Sequence, residues 1–313
     1  MTVNLFIFAA AVYCIIKWSL LSSKYAVLFA KSFHVSTYIV WLIVVSVISI
    51  LPETFISVSS VFAWEPTLWL WTLFWSNVAD LTLVFAIIAL FSWRLNIKIK
   101  WSIIAKNRLY DLFLLVPIIL WLDWAYTRFE WICLILIWFL YYYNTLKGGK
   151  QEKTKEVKTV NRSIIMHNFR YLLWSIALLL VWAHFVVVSG IAIAEIFWVD
   201  PVIIGIWIVW LWTVIPELLF AFHAVRNYKD ELAVWDLLWT VLADATVVIW
   251  IMAIISPFVF PERIIYVTWI FMVGAGLLNG YFLRTWKTLT KQEWVFLLLF
   301  WIIFVCTEYL VNS

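Results

Sequence analysis

Ser49-Ile50-Leu51-Pro52-Glu53 is answered 164 positions later by Thr213-Val214-Ile215-Pro216-Glu217. The match continues at the same offset, with Ser76 and Asp80 recurring as Thr240 and Asp244. These positions repeat without slippage across 32 residues, inside segments that are otherwise almost wholly apolar. A carboxylate in a membrane interior costs several kcal/mol and is rarely found there without an ionic task. Two glutamates and two aspartates placed by an internal duplication read as a cation site at a repeat interface.

Composition excludes a soluble reading. Of 313 residues, 66% are hydrophobic and 13% charged, against about 25% charged in a soluble domain. Apolar runs near or above 18 residues recur along the chain, the signature of transmembrane helices. No basic n-region with a cleavage site opens the chain, so the first helix is expected to be retained. The net charge of +4 reflects where loops lie, and no nucleic-acid partner is expected. Cys14, Cys133 and Cys306 are far apart in apolar segments and read as packing residues.

Hydropathy predicts an all-α membrane protein with ten helices, at about 4–22, 35–62, 67–93, 107–125, 129–146, 168–190, 198–226, 231–256, 262–284 and 292–311. The polar stretch Lys147–Arg162 holds Lys147, Lys150, Lys153, Lys155, Lys158 and Arg162 and is placed in the cytoplasm by the positive-inside rule. That assignment puts Lys24, Lys31, Arg94, Lys98, Lys100, Lys106, Arg108, Arg226, Lys229, Arg284, Lys287 and Lys291 inside. Glu65, Glu130, Glu195, Asp200 and Glu262 fall outside, with Arg128 and Arg263 as basic exceptions. Both termini then lie outside. Five helices per half is odd, so the halves are expected to be inverted relative to each other. The division is a first repeat at 1–146, a linker at 147–166 and a second repeat at 167–313. Thr127-Arg128-Phe129-Glu130-Trp131, recurring as Thr290-Lys291-Gln292-Glu293-Trp294 at an offset of 163, extends the duplication beyond the acidic core.

The spacing places the candidate ligands on helix faces. Ser49, Glu53 and Ser57 are i, i+4, i+8, and Ser76 and Asp80 are i, i+4. Thr213 with Glu217 and Thr240 with Asp244 repeat this, although Ala221 stands where Ser57 predicts a hydroxyl. Pro52 and Pro216 remove backbone donors and free the carbonyls of Ile48 and Trp212. Such carbonyls are tolerated at membrane depth where they are buried in protein or line a cavity. Carboxylate, hydroxyl and carbonyl oxygens suit hard cations, and Ca²⁺ takes six to eight of them. No His or Cys set favours a softer metal. Four carboxylates in one cavity cannot all stay charged without counter-cations, which keeps proton coupling open. His223 and Asp236 lie near the second motif, opposite Ser59 and Thr72 in the first half, and read as local packing or pore lining. His34, His167 and His184 have no partners at ligand spacing. No nucleophile–base constellation or phosphate loop is visible, so an enzyme is not expected.

These residues resemble the cation/Ca²⁺ antiporter superfamily, which includes the sodium/calcium exchangers. Its hallmarks are inverted repeats with Pro-Glu on helices two and seven, and Gly-Ser-x-x-x-Asn/Asp on helices three and eight. Here the second motif reads Trp75-Ser76-Asn77-Val78-Ala79-Asp80 and Trp239-Thr240-Val241-Leu242-Ala243-Asp244. The resemblance implies that Glu53 and Glu217 are central Ca²⁺ ligands, with Asp80 and Asp244 completing the centre. Ser49, Thr213, Ser76 and Thr240 would line flanking cation positions. It implies exchange of Ca²⁺, or a similar divalent ion, for Na⁺ or H⁺ by alternating access, with no covalent cofactor, in a prokaryotic plasma membrane. Ile50 and Val214 stand where Na⁺-using members commonly carry a hydroxyl, and Asp80 and Asp244 end both copies of the second motif, where one is often Asn; both departures favour H⁺ coupling. The alternative is a non-transporting structural or regulatory relative.

Tryptophan usage is anomalous. The chain has 25 Trp and 7 Gly, although Gly averages about 7% of residues and is commoner still in transmembrane helices. By the same resemblance, Trp71, Trp75, Trp235 and Trp239 occupy family glycine positions. Trp18, Trp41, Trp64, Trp124, Trp131, Trp212 and Trp294 also stand where relatives have Gly. The expectation is a gene that uses UGA for glycine and has been translated with UGA as Trp; the alternative is a Trp-rich divergent member that is inactive or repacked.

Overall fold

Where the sequence is apolar over a membrane thickness, the backbone has no polar partner but itself, and the chain is helical. The computed structural model describes residues 2–31, 50–63, 66–91, 97–98, 114–115, 132, 135–136, 138–140, 143, 162–198, 210–228, 230–255, 264–285 and 288–312. Its α-helical pieces are α1 (Thr2–Lys31), α2 (Leu51–Phe62), α3 (Pro66–Ala79), α4 (Phe85–Phe91), α5 (Arg162–Phe197), α6 (Trp210–Arg226), α7 (Asp230–Ala243), α8 (Ile249–Ile255), α9 (Ile270–Thr285) and α10 (Lys291–Asn312). Among the described residues, six stretches are long and apolar enough to cross a membrane: Thr2–Ala26, Trp71–Phe91, Arg162–Phe197, Leu232–Met252, Tyr266–Arg284 and Gln292–Val311. The helices expected at 107–125 and 129–146, and the start of the one at 35–62, lie mostly outside the described residues.

One segment is duplicated in structure as well as in sequence. α3 runs into a π-helical turn, Asp80–Val84, and then α4; α7 runs into Asp244–Val248 and then α8. Every boundary of the second set is displaced from the first by 164 residues. A π turn inserts one extra residue and pulls a carbonyl off its usual partner. The same hydroxyl repairs this in both halves: Thr82 Oγ1 donates to the Val78 carbonyl, and Thr246 Oγ1 to the Leu242 carbonyl. Asp80 and Asp244 are the first residues of these turns.

The chain divides into two compact units, residues 1–69 with 141–216 and residues 70–140 with 217–313. Each unit therefore takes one part from either half of the duplication. In the first, α1 and α5 share a core in which Phe8, Ala11, Val12 and Ile15 meet Leu179, Ala183, Val186, Val187, Ile193 and Ala194, joined by Ile56 of α2. Fully buried Ala11, Ala183 and Ala194 let the backbones approach, as small residues do between membrane helices. Further along, Tyr25 stacks on Tyr171 at 4.9 Å and Phe29 meets Phe169 at 5.2 Å. Rising numbers on α1 meet falling numbers on α5, so these two equivalent helices run antiparallel.

In the second unit the first α–π–α segment packs with α9 and α10, and its π turn meets α7. Asn279 of α9 donates its amide to the Leu81 carbonyl, inside the first π turn, and to the Ala275 carbonyl at 3.0 Å. Trp75 packs against Phe304 of α10 at 4.8 Å, and Phe74 against Trp269 at 4.7 Å. Thr290 and Glu293 cap α10 reciprocally: the Thr290 amide donates to Oε2 at 2.7 Å, and the Glu293 amide reaches the threonine hydroxyl at 3.5 Å, a capping box. A two-residue antiparallel bridge pairs Ile97 with Leu289 and Lys98 with Thr288.

Candidate cation site

Seven of the eight expected ligands fall among the described residues, and all seven are buried: Glu53, Ser76, Asp80, Thr213, Glu217, Thr240 and Asp244. Ser49 lies outside the described residues. Glu53 sits in the first turn of α2, with Pro52 at the start of the helix and the Thr54 amide bonded to the Ile50 carbonyl at 2.9 Å. Pro is compatible with a first turn, where the missing N–H is not needed. Its counterpart Pro216 instead lies within α6. There the proline leaves the Trp212 carbonyl without its helical donor, as the sequence predicts. The two Pro-Glu motifs therefore share residues but not the same helical setting.

Within the second compact unit the acidic residues converge electrostatically. Asp80 lies within reach of the charges of Glu217 and Asp236, and Asp244 within reach of those of Asp80 and Glu217. Relative exposure is 1% for Asp80, 1% for Glu217, 3% for Asp236 and 0% for Asp244. Both carboxylate oxygens of Asp244, one of Asp80, the Thr240 hydroxyl and both amide atoms of Asn77 are buried without a hydrogen-bond partner. So is Oδ1 of Asn279. Buried polar atoms left in this state cost about 1–3 kcal/mol each, more when charged, and such a concentration calls for an explanation. Apart from the Asn77 amide nitrogen these atoms are all oxygens, and a hard cation is the chemistry that fits them.

The hydroxyls differ between the halves. Ser76 Oγ donates to the Leu73 carbonyl at 2.8 Å, whereas Thr240 Oγ1 has no partner. Among the described residues no three His, Cys, Asp or Glu side chains form a ready-made metal group. Closing a shell of six to eight oxygens around Ca²⁺ would draw on hydroxyls, backbone carbonyls and carboxylate rotation.

Sequence reasoning set aside one member of this neighbourhood and missed two. Asp236 was visible four residues before Thr240, one helical turn away. Asn77 was visible beside Ser76. Asn279 carried no signal beyond being polar in an apolar helix. His223, by contrast, is exposed at the end of α6, its ring 3.0 Å from the Asn227 amide.

Comparison with known proteins follows the same lines. The family model described as sodium/calcium exchanger protein matches residues 3–147 and 167–310. Comparison with curated protein sequences finds no match. Among solved structures, the crystal structure of the H⁺/Ca²⁺ exchanger CAX aligns with a TM-score of 0.82 at 16% identity, over 97% of this chain and 82% of that one. The sodium-calcium exchanger NCX_Mj, in crystals soaked with Na⁺ and Sr²⁺, aligns with a TM-score of 0.72 at 18% identity, over 98% and 99% of the two chains. At these identities the structural likeness establishes a shared fold.

Proposed function

Because this chain belongs to the sodium/calcium exchanger protein family, we propose that it is an integral membrane antiporter exchanging Ca²⁺, or a similar divalent cation, for Na⁺ or H⁺ by alternating access. The observation that carries this reading is the buried set of Asp80, Asp244 and Glu217, mutually within electrostatic reach, with oxygens of Asp80, Asp244 and Thr240 left without hydrogen-bond partners. Glu53 enters through the duplication, as the counterpart of Glu217, and Thr213 and Ser49 enter as the hydroxyls four residues before the two glutamates. In this mechanism Glu53 and Glu217 are the central Ca²⁺ ligands and Asp80 and Asp244 complete the centre. Ser49, Thr213, Ser76 and Thr240 line flanking positions for the coupling ion.

Antiport follows from charge. Carboxylates stripped of cations would have to pass through the apolar barrier uncompensated, a state that membrane burial penalises heavily. The carrier therefore reorients with Ca²⁺ bound or with the coupling ion bound, and not empty. Asp80 and Asp244 at the ends of both second motifs, with Ile50 and Val214 offering no hydroxyl, leave few neutral oxygens for Na⁺ and support H⁺ as the coupling ion. The antiparallel course of α1 and α5 supports an inverted duplication. On this reading the protein resides in a prokaryotic plasma membrane, and loop charges support both termini lying outside.

Purified protein in liposomes is expected to take up ⁴⁵Ca²⁺ against a separately imposed H⁺ or Na⁺ gradient. Folded protein that moves no Ca²⁺ under either gradient would overturn the reading in favour of a non-transporting structural or regulatory relative.

A further inference from the structure

The duplication is imperfect at one charged position. Thr72 of α3 and Asp236 of α7 are counterparts at the offset of 164, and both are buried. A neutral threonine packs at this place in the first half, so packing does not require a carboxylate in the second. Asp236, Thr240 and Asp244 follow at i, i+4 and i+8, which stacks them on one face of the same helical segment. Between the two carboxylates stands the Thr240 hydroxyl, almost wholly buried and without a partner. From this face Asp236 also acts on Asp80 of the paired segment.

We propose that Asp236 is a selectivity-determining residue of the cation site, adding a charge on the second-repeat side that favours divalent over monovalent ions. This rests on the reading of the site given above. The physical basis is that Coulomb energy scales with the charge of the bound ion. A carboxylate that tightens Na⁺ binding about 10-fold tightens Ca²⁺ binding by about the square of that, roughly 100-fold. A residue that merely held the helix in place would affect both ions by similar factors.

The test is equilibrium ⁴⁵Ca²⁺ binding to the full chain in detergent, with Na⁺ as competitor, for wild type, Asp236→Asn, Asp236→Glu and Thr72→Asp. Asp236→Asn is expected to weaken Ca²⁺ about 100-fold and, at a fixed saturating Ca²⁺ concentration, to lower the displacing Na⁺ concentration about 10-fold. Asp236→Glu, which keeps the charge, should restore most of both, and Thr72→Asp should shift selectivity further toward Ca²⁺. Equal weakening of both ions by Asp236→Asn, or no weakening of either, would overturn the role of Asp236 and leave the site itself standing. A wild type that binds no Ca²⁺ would overturn the site and this inference together.

A second inference rests on different observations. Trp71, Trp75, Trp235 and Trp239 form two i, i+4 pairs related by the same offset, on the helices that carry the acidic residues, and all four are buried. Tryptophan favours membrane–water interfaces, while close helix contacts inside membranes favour small residues. Trp198, the residue that follows α5, is 96% exposed with φ of 55°. That is the position after a helix where glycine is strongly preferred. Tyr228, with φ of 60°, adopts the same region after α6, so the weight lies on the conjunction with 25 Trp and 7 Gly in the chain.

We infer that positions 71, 75, 198, 235 and 239 are glycine in the native protein, encoded by UGA. The coding DNA is expected to carry TGA at these codons, and mass spectrometry of peptides from the source organism is expected to read glycine. TGG at these codons, or tryptophan in the native peptides, would overturn it.

Discussion

Residues 66–91 and 230–255 are two editions of one structural sentence, and their differences teach more than their likeness. Both place an acid at the first residue of a π turn after 14 residues of α-helix. Both repair the turn with a threonine hydroxyl. They part over how the surrounding oxygens are held. In the first edition Ser76 is tied to the Leu73 carbonyl, Asn77 supplies a neutral amide, and Asn279 pins the turn through the Leu81 carbonyl. In the second, Thr240 has no partner, Val241 replaces Asn77, and Asp236 adds a carboxylate. The first side carries one carboxylate and is held; the second carries two and is less tethered. A duplicated site can thus present unequal halves to cations of different charge.

The largest test of this comparison asks whether the halves are both indispensable. Glu53→Gln and Glu217→Gln are each expected to abolish Ca²⁺ transport in the liposome assay, since each removes a charge that no neighbour replaces. Normal transport by Glu217→Gln would break the pseudo-symmetric site outright, whatever became of the asymmetry around it.

A smaller effect sharpens the comparison. Thr240→Ala and Ser76→Ala should both raise the half-saturating concentration of the coupling ion more than that of Ca²⁺. Thr240→Ala should have the larger effect, about 5-fold, in line with roughly 1 kcal/mol for one hydroxyl interaction. Ser76→Ala should have less, because the bond to the Leu73 carbonyl fixes how the Ser76 oxygen presents its lone pairs, while the Thr240 oxygen is free to turn toward an ion. Equal shifts, or a larger one at Ser76, would show that the tethering difference has no bearing on the coupling ion.

Much of the site was legible because helices convert spacing into position. Pro-Glu followed by hydroxyl and acid at a constant offset picked out Glu53, Asp80, Glu217 and Asp244 as candidates, and all four are buried. The helical ends were less legible. α5 extends over Arg162–Phe197, well past the apolar stretch expected at 168–190, because a long helix continues wherever its backbone bonds remain satisfied, in lipid or beyond it. Pro52 and Pro216 read alike in sequence yet stand at a helix start and in a helix interior. A proline's own chemistry permits both.

By itself the sequence determined the membrane class, the duplication, the acidic residues at its centre and the family they belong to. All of these rest on composition and on spacing along one chain. Only the tertiary structure decided that Asp236 acts on Asp80, that Asn279 holds the Leu81 carbonyl across 198 residues, and that Ser76 is tethered where Thr240 is not. Such contacts join residues remote in sequence, or select one partner among several within reach. Packing of the helices sets that choice, and no local pattern encodes it.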